Sequence, residues 1–196
     1  MDAGRIGPGR FVAVVGPSGS GKDSILRAAA AGLAGAPGVI FPRRVITRPP
    51  DLHEDHLPIT RADFTAARSR GAFALDWEAH GLCYGVPVDI EDALRAGSTV
   101  VVNVSRSVIP ALRARYTHRT VAVVTVSADR LAGRLSQRGR ETPGEIEGRI
   151  ARASADRPVG DDVVAIDNNG PLEAAVARFL ALLGGDAMRS RQRDFS

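Results

Sequence analysis

The chain is almost without lysine. All but one of its 26 basic residues are arginine, and the exception is Lys22. A coding bias would explain the arginines, because on a solvated surface the two residues are nearly equivalent. It would not explain where the exception falls, which is the run Gly16-Pro17-Ser18-Gly19-Ser20-Gly21-Lys22-Asp23-Ser24. A tight loop there has room for a compact point charge and none for a broad planar fork. Other shortages exclude whole classes. Cys83 is the only cysteine, so no intrachain disulfide forms. No stretch approaches the ~20 apolar residues of a membrane span, and residues 1–10 lack the apolar core of a signal peptide. The expectation is a cytoplasmic protein with no membrane partner. Aromatics make up 5% and are not interleaved with a basic run, so nucleic acid is not an expected partner. The net charge of +4 is mild and fits anionic small molecules equally well.

What is present begins with the loop. Its pattern, G-x-x-x-x-G-K, is a phosphate-binding loop. Gly16, Gly19 and Gly21 allow φ > 0 and close backbone approach to a polyphosphate. Successive N–H groups then form an anion nest, and the following helix adds the positive end of its dipole. Lys22 reaches the terminal phosphates of ATP. Context supports the match: Phe11–Val15 reads as a buried strand and Asp23–Ala31 as a helix. One position departs. The residue after the lysine is usually Ser or Thr, whose hydroxyl meets Mg²⁺; here it is Asp23, also a hard oxygen ligand, assigned to Mg²⁺ directly or through water. Ser24 does not simply replace that hydroxyl, because it lies ~100° further around the helix.

Apolar β-branched runs recur at Phe11–Val15, Val39–Ile46, Thr99–Val102, Val121–Val126 and Val163–Ile166. Helical stretches lie between them at Asp23–Ala31, Val88–Ala96, Pro110–Arg115, Asp129–Gln137, Gly144–Ala155 and Pro171–Leu183. The alternation predicts an α/β fold, a mostly parallel five-stranded sheet with helices on both faces. Its ligands are expected beyond the carboxyl ends of the strands. Two segments break the rhythm. Residues 47–87 hold Pro49-Pro50, three of the four histidines and the only tryptophan, and read as an inserted subdomain. Residues 138–147 are short and charged, and read as a mobile lid. The expected organisation is one domain over 1–185, with core 10–46, 88–137 and 155–185, then a flexible tail over 186–196.

Gly-Pro-Ser-Gly-x-Gly-Lys, Thr47-Arg48, Gly71-Ala72-Phe73, Tyr84-Gly85 and the Arg138…Arg149 pair together resemble the guanylate kinase-like P-loop kinases over about residues 10–180. In that family the insert binds the acceptor and the lid closes on ATP. The departures narrow the match. By the resemblance, the guanine-binding glutamate falls at Leu75, and the hydroxyl residues after Tyr-Gly are Val86 and Pro87. The acidic pair after the central strand is Asn103-Val104-Ser105, followed by Arg106. A site built to hydrogen-bond guanine loses its selectivity when those groups become apolar. The run Phe73-Ala74-Leu75-Asp76-Trp77-Glu78-Ala79-His80-Gly81-Leu82-Cys83-Tyr84-Gly85, with Asp23, Ile46-Thr47-Arg48-Pro49, Glu54-Asp55-His56 and Arg138-Gly139-Arg140-Glu141, resembles the ribose bisphosphate kinase branch of phosphonate degradation. That resemblance implies ATP-dependent phosphorylation of ribose 1,5-bisphosphate to 5-phosphoribosyl 1-diphosphate. Guanylate kinase and a non-catalytic binding module are the alternatives, the second having no need of Lys22 or the lid arginines.

The implied roles follow residue by residue. Lys22, Arg138 and Arg149 stabilise the moving phosphoryl group, with Arg140 and Arg152 as further candidates. Residues Gly16, Pro17, Ser18, Gly19, Ser20, Gly21, Lys22, Asp23 and Ser24 bind the nucleotide, and Arg134 stacks on adenine. Arg48, His56 and Tyr84 contact acceptor phosphate, and Asn103, Ser105 and Arg106 hold the ribose or a second phosphate. Trp77, His80 and Cys83 are expected to shape the insert's core, and Asp167-Asn168-Asn169 to form a turn, an edge to the adenine being the alternative. Expected partners are ATP, Mg²⁺ and a phosphorylated sugar. The oligomeric state is left open, a dimer being one option.

Overall fold

The computed structural model describes residues 4–49, 55–138, 144, 148 and 157–184. Strand β1 (Ile6–Val15) carries the core, and Phe11 to Val15 have no exposed surface. It leads into α1 (Lys22–Gly32), as its apolar run and the Ala-rich segment after it predict. Strands β2 (Val39–Ile40) and β3 (Arg44–Ile46) follow. The insert supplies β4 (His56–Pro58), α2 (Arg61–Ser69), β5 (Phe73–Ala79) and β6 (Leu82–Pro87). Then come α3 (Ile90–Arg95), β7 (Thr99–Asn103), a 3-10 turn (Arg106–Val108), α4 (Ile109–Arg115) and β8 (Tyr116–Thr125). The chain continues with α5 (Ala128–Arg138), β9 (Val163–Asp167) and α6 (Leu172–Gly184).

Five strands form one sheet in the order β2-β7-β1-β8-β9, and β7 pairs in parallel with both β1 and β2. A second sheet has the order β4-β3-β6-β5. The run Val39–Ile46, expected as one strand, is therefore two strands in two sheets. Pro42 lies between them; it has no N–H for a ladder and ends the first. Strand β8 starts at Tyr116, five residues before the predicted Val121. Its first half is polar but extended, which an apolar pattern does not register. The helix expected at Gly144–Ala155 and the lid at 138–147 lie outside the described residues, apart from the backbone of Arg138 and the two glycines at 144 and 148.

The chain divides into two compact units, one of residues 1–14 and 35–121, the other of residues 15–34 and 122–196. The first contains the second sheet. There α2 starts at Thr60, whose Oγ1 accepts from Asp63 N at 3.1 Å, as a Thr N-cap does. It packs on β5 with Phe64 stacked on Phe73 at 4.6 Å. Strands β5 and β6 turn at His80-Gly81, both with φ > 0 (52° and 74°), the two-residue hairpin geometry. His80 is exposed and belongs to this turn, not to the insert's core as expected. Cys83 and Trp77 are buried as expected. In the second unit α1 packs against α6.

Candidate active site

The phosphate loop lies wholly within the second unit. Gly16, Gly19 and Gly21 have φ of 151°, 87° and 90°. A Cβ on Gly16 would stand 2.6 Å from Val124 O, and one on Gly21 would meet Asn168 Nδ2. Both space and torsion therefore demand glycine. Gly21 is also the N-cap of α1, and no side chain caps that terminus. The loop's own backbone thus governs which N–H groups point inward. Lys22 Nζ donates to Gly16 O at 2.8 Å and to Pro17 O at 2.9 Å, which folds the ammonium back over the loop.

Side chains from α5 and the end of β9 hold the outer edge of the loop. Arg134 donates to Gly19 O at 3.4 Å, Ser20 O at 3.2 Å and Asn168 O at 3.2 Å. Asn168 is buried, and its Nδ2 donates to Ser20 O at 2.6 Å. Asn169 Oδ1 accepts from Ser127 N at 2.8 Å, which fixes the start of α5 against the same turn. Leu131 and Leu135 pack together beneath, and a Cβ on Gly19 would touch both. Asp167 ends β9, where a turn was expected, and Asn168-Asn169 follow it and tie the strand to the loop. The sequence reading puts Arg134 against adenine, whereas the structure turns its donors to carbonyls. A guanidinium donates from its edge and stacks by its face, so loop bracing leaves stacking geometrically open.

Asp23 is exposed in the first turn of α1. Among the described residues, no three His, Cys, Asp or Glu come together to hold a metal. One exposed carboxylate beside a phosphate loop fits an ion held mainly by phosphate oxygens and water, as Mg²⁺ is.

The first unit holds the residues expected at the acceptor. Tyr84 pairs across the sheet with Ile46 on one side and Trp77 on the other. Its ring stacks on Trp77 at 5.3 Å and 2°. Thr47 N donates to Cys83 O at 3.1 Å, and Cys83 N donates to Thr47 Oγ1 at 2.8 Å, so the Thr47-Arg48 turn is locked to β6. His56 is buried, and its Nε2 lies 3.2 Å from Arg48 O. A hydrogen bond there requires the proton on Nε2, and it makes His56 a brace for the turn that carries Arg48. Asn103 ends β7, half-buried. Ser105 caps the 3-10 turn, its Oγ accepting from Ser107 N at 3.2 Å, and Arg106 is the turn's first residue. Strand β5 packs against this turn. Arg149 and the side chain of Arg138, like Arg140 and Arg152, lie outside the described residues.

Comparison with known proteins agrees with the fold. A guanylate kinase structure from Anaplasma phagocytophilum matches with a TM-score of 0.61 at 18% identity, over 95% of this chain and 89% of that one. A sugar kinase structure from Janibacter sp. gives 0.52 at 20% identity, over 90% and 95%. These likenesses show the fold, that of a P-loop kinase. No family model matches the sequence. The ribose 1,5-bisphosphate phosphokinase PhnN of Acidiphilium cryptum is 52% identical over 89% of this chain and 92% of its own length. Its counterpart in Brucella melitensis is 47% identical over 88% and 90%. The chain belongs to the ribose 1,5-bisphosphate phosphokinase family.

Two roles in this family member were not read from the sequence. Asn168, read there only as part of a turn, is a buried polar brace of the phosphate loop beside Arg134. Arg44 lies with its guanidinium carbon 5.8 Å from the Trp77 ring centroid and 5.5 Å from that of Tyr84. Within an arginine-rich chain it carries no distinguishing pattern.

Proposed function

We propose that the chain transfers the terminal phosphoryl group of ATP to a phosphate oxygen of ribose 1,5-bisphosphate, giving ADP and 5-phosphoribosyl 1-diphosphate. The observation that carries this reading is the burial of Leu75 and Val86, 4% and 0% exposed, on the acceptor sheet. An acceptor recognised through a base edge needs hydrogen-bonding groups at such positions, and an acceptor recognised through its phosphates does not. The name of the relatives points to the same substrate. A cytoplasmic place in phosphonate breakdown accompanies the proposal.

In the reaction an acceptor oxygen forms a bond to the γ-phosphorus while the bond to the ADP oxygen breaks. A phosphate monoester, with a second pKa near ~6, is largely dianionic at pH 7. No side chain need remove a proton, and none is assigned to do so. The protein's task is to position two anions and spread the charge on the moving group. Lys22 and the N–H groups of residues 16–24 hold the donor's phosphates. Arg138 and Arg149 are assigned to the transferring group, Arg48 and Tyr84 to the acceptor, and Asn103, Ser105 and Arg106 to its ribose or second phosphate. Mg²⁺, when bound beside Asp23, neutralises phosphate charge.

A screen of phosphorylated acceptors with Mg-ATP, read by mass spectrometry, tests the proposal. Formation of 5-phosphoribosyl 1-diphosphate from ribose 1,5-bisphosphate is expected. Rapid conversion of GMP with none of the bisphosphate would sink it.

A further inference from the structure

The acceptor sheet has two unlike faces. On one, α2 covers β5: Arg68 pairs with Asp76 at 2.7 Å and Arg61 with Glu78 at 2.8 Å. Side chains alternate along a strand, so Leu75 and Trp77 point to the other face. Trp77, Tyr84 and Ile46 are cross-strand partners and form one row there. Val86, opposite Leu75, lies on the same face. Arg44, two residues before Ile46, does so as well, and its guanidinium spans the parallel Trp77 and Tyr84 rings at 5.8 and 5.5 Å. The face opposite α2 thus combines apolar Leu75 and Val86 with a cation fixed on an aromatic shelf.

That combination has a definite chemistry. Aromatic faces hold a guanidinium by cation–π attraction and limit its motion. Its N–H donors lie in the plane of the guanidinium. A planar fork of this kind is suited to bidentate recognition of phosphate. A bisphosphate carries two such groups, and Arg48 accounts for one. We propose that Arg44 binds a phosphate of the acceptor and is the residue that selects a phosphorylated sugar, the Trp77–Tyr84 pair serving to position it. This rests on the acceptor reading given above.

The test compares wild type, Arg44→Met and Arg44→Lys in steady-state turnover of ribose 1,5-bisphosphate with Mg-ATP. Trp77, the only tryptophan, adds a binding signal, its emission followed while the acceptor is titrated without ATP. The loss of a charge-assisted contact should raise the acceptor KM of Arg44→Met about 10- to 100-fold, with the KM for ATP unchanged and the emission change moved to correspondingly higher acceptor. Arg44→Lys, which keeps the charge and loses the fork, should recover only part. Wild-type turnover of ribose 1,5-bisphosphate with an unaltered acceptor KM in Arg44→Met overturns the role of Arg44 and leaves the acceptor reading standing. If wild type itself neither binds nor phosphorylates the bisphosphate, both fall. Should Arg44→Met not fold, Arg44→Lys decides, and a wild-type acceptor KM in that variant overturns the proposal.

Discussion

In the function proposed above, the phosphate loop and the acceptor sheet handle the same chemical group by opposite means. The loop works with backbone: three glycines at positive φ, a helix start that no side chain caps, and one lysine. The acceptor sheet works with side chains: an arginine on two aromatic rings, a second arginine on a turn locked to β6, and apolar residues among them. A backbone nest reads charge and shape, which polyphosphates share, and so suits a donor common to many kinases. Side chains on a sheet are exchanged one at a time without disturbing the ladder. Selectivity for an acceptor is therefore free to change there while the donor loop stays as it is.

The strongest way to break that contrast is at Lys22. Removing one preorganised donor to a transferring group costs about 10²–10³ in kcat, so Lys22→Met should lose that much with the acceptor KM unmoved. Because Lys22 is the only lysine, amine-reactive labelling followed by peptide mass spectrometry should also show protection of this one lysine by Mg-ATP. Metal dependence sharpens the contrast within the loop. Asp23→Ala should shift the Mg²⁺ titration of turnover to higher concentration while metal-free ATP binding holds; an unmoved titration would reduce Asp23 to a helix-start residue.

The next effect separates stability from chemistry. Glu91 is buried, and its carboxylate accepts from Arg115 Nε at 2.5 Å, Arg95 Nη2 at 3.1 Å and the Tyr116 hydroxyl at 3.4 Å. The pairing holds the Arg115 guanidinium above its ordinary range. Arg115→Ala leaves a buried carboxylate short of its nearest partner, a loss of about 3 kcal/mol. Glu91→Gln leaves two half-exposed arginines that turn to water, and should cost about 1–2 kcal/mol. Urea melts give the order, and neither change should alter either KM.

How far the sequence reveals these regions follows from their construction. The loop is one contiguous run whose glycines are each required, so residues 16–24 declare it. The strands Phe11–Val15, Thr99–Val102 and Val163–Ile166 are unbroken apolar runs and equally plain. The acceptor face is assembled from residues 44, 75, 77, 84 and 86, and their alignment depends on a register that no local pattern prints. The split at Pro42, the His80-Gly81 turn and the burial of His56 come from tertiary pairing. Asn168 escapes for a similar reason: its partner is a carbonyl 148 positions away.

Smaller effects refine the picture. Asn168→Ala removes one buried brace of the loop, about 1–2 kcal/mol, and should raise the KM for ATP roughly tenfold while the acceptor KM stays put. The smallest is alkaline. Burial, then the Glu91 carboxylate, raises the Tyr116 hydroxyl well above its usual range, with Arg115 opposing. A raised folded value means stability complete below the unfolded pKa of about 10 and lost as pH climbs toward the folded one. Tyr116→Phe keeps the stack on Phe11 at 4.7 Å and should remove that share of the alkaline loss, seen as a flatter melting-temperature profile above pH ~10.

Phosphate, and not a base, is what the acceptor sheet is proposed to recognise. Phosphorus NMR of the protein with Mg-ATP, ribose 1,5-bisphosphate and GMP together tests it most directly. Growth of the diphosphate resonances of 5-phosphoribosyl 1-diphosphate and ADP is expected, with GMP untouched. Growth of GDP with the ribose bisphosphate unchanged would contradict it.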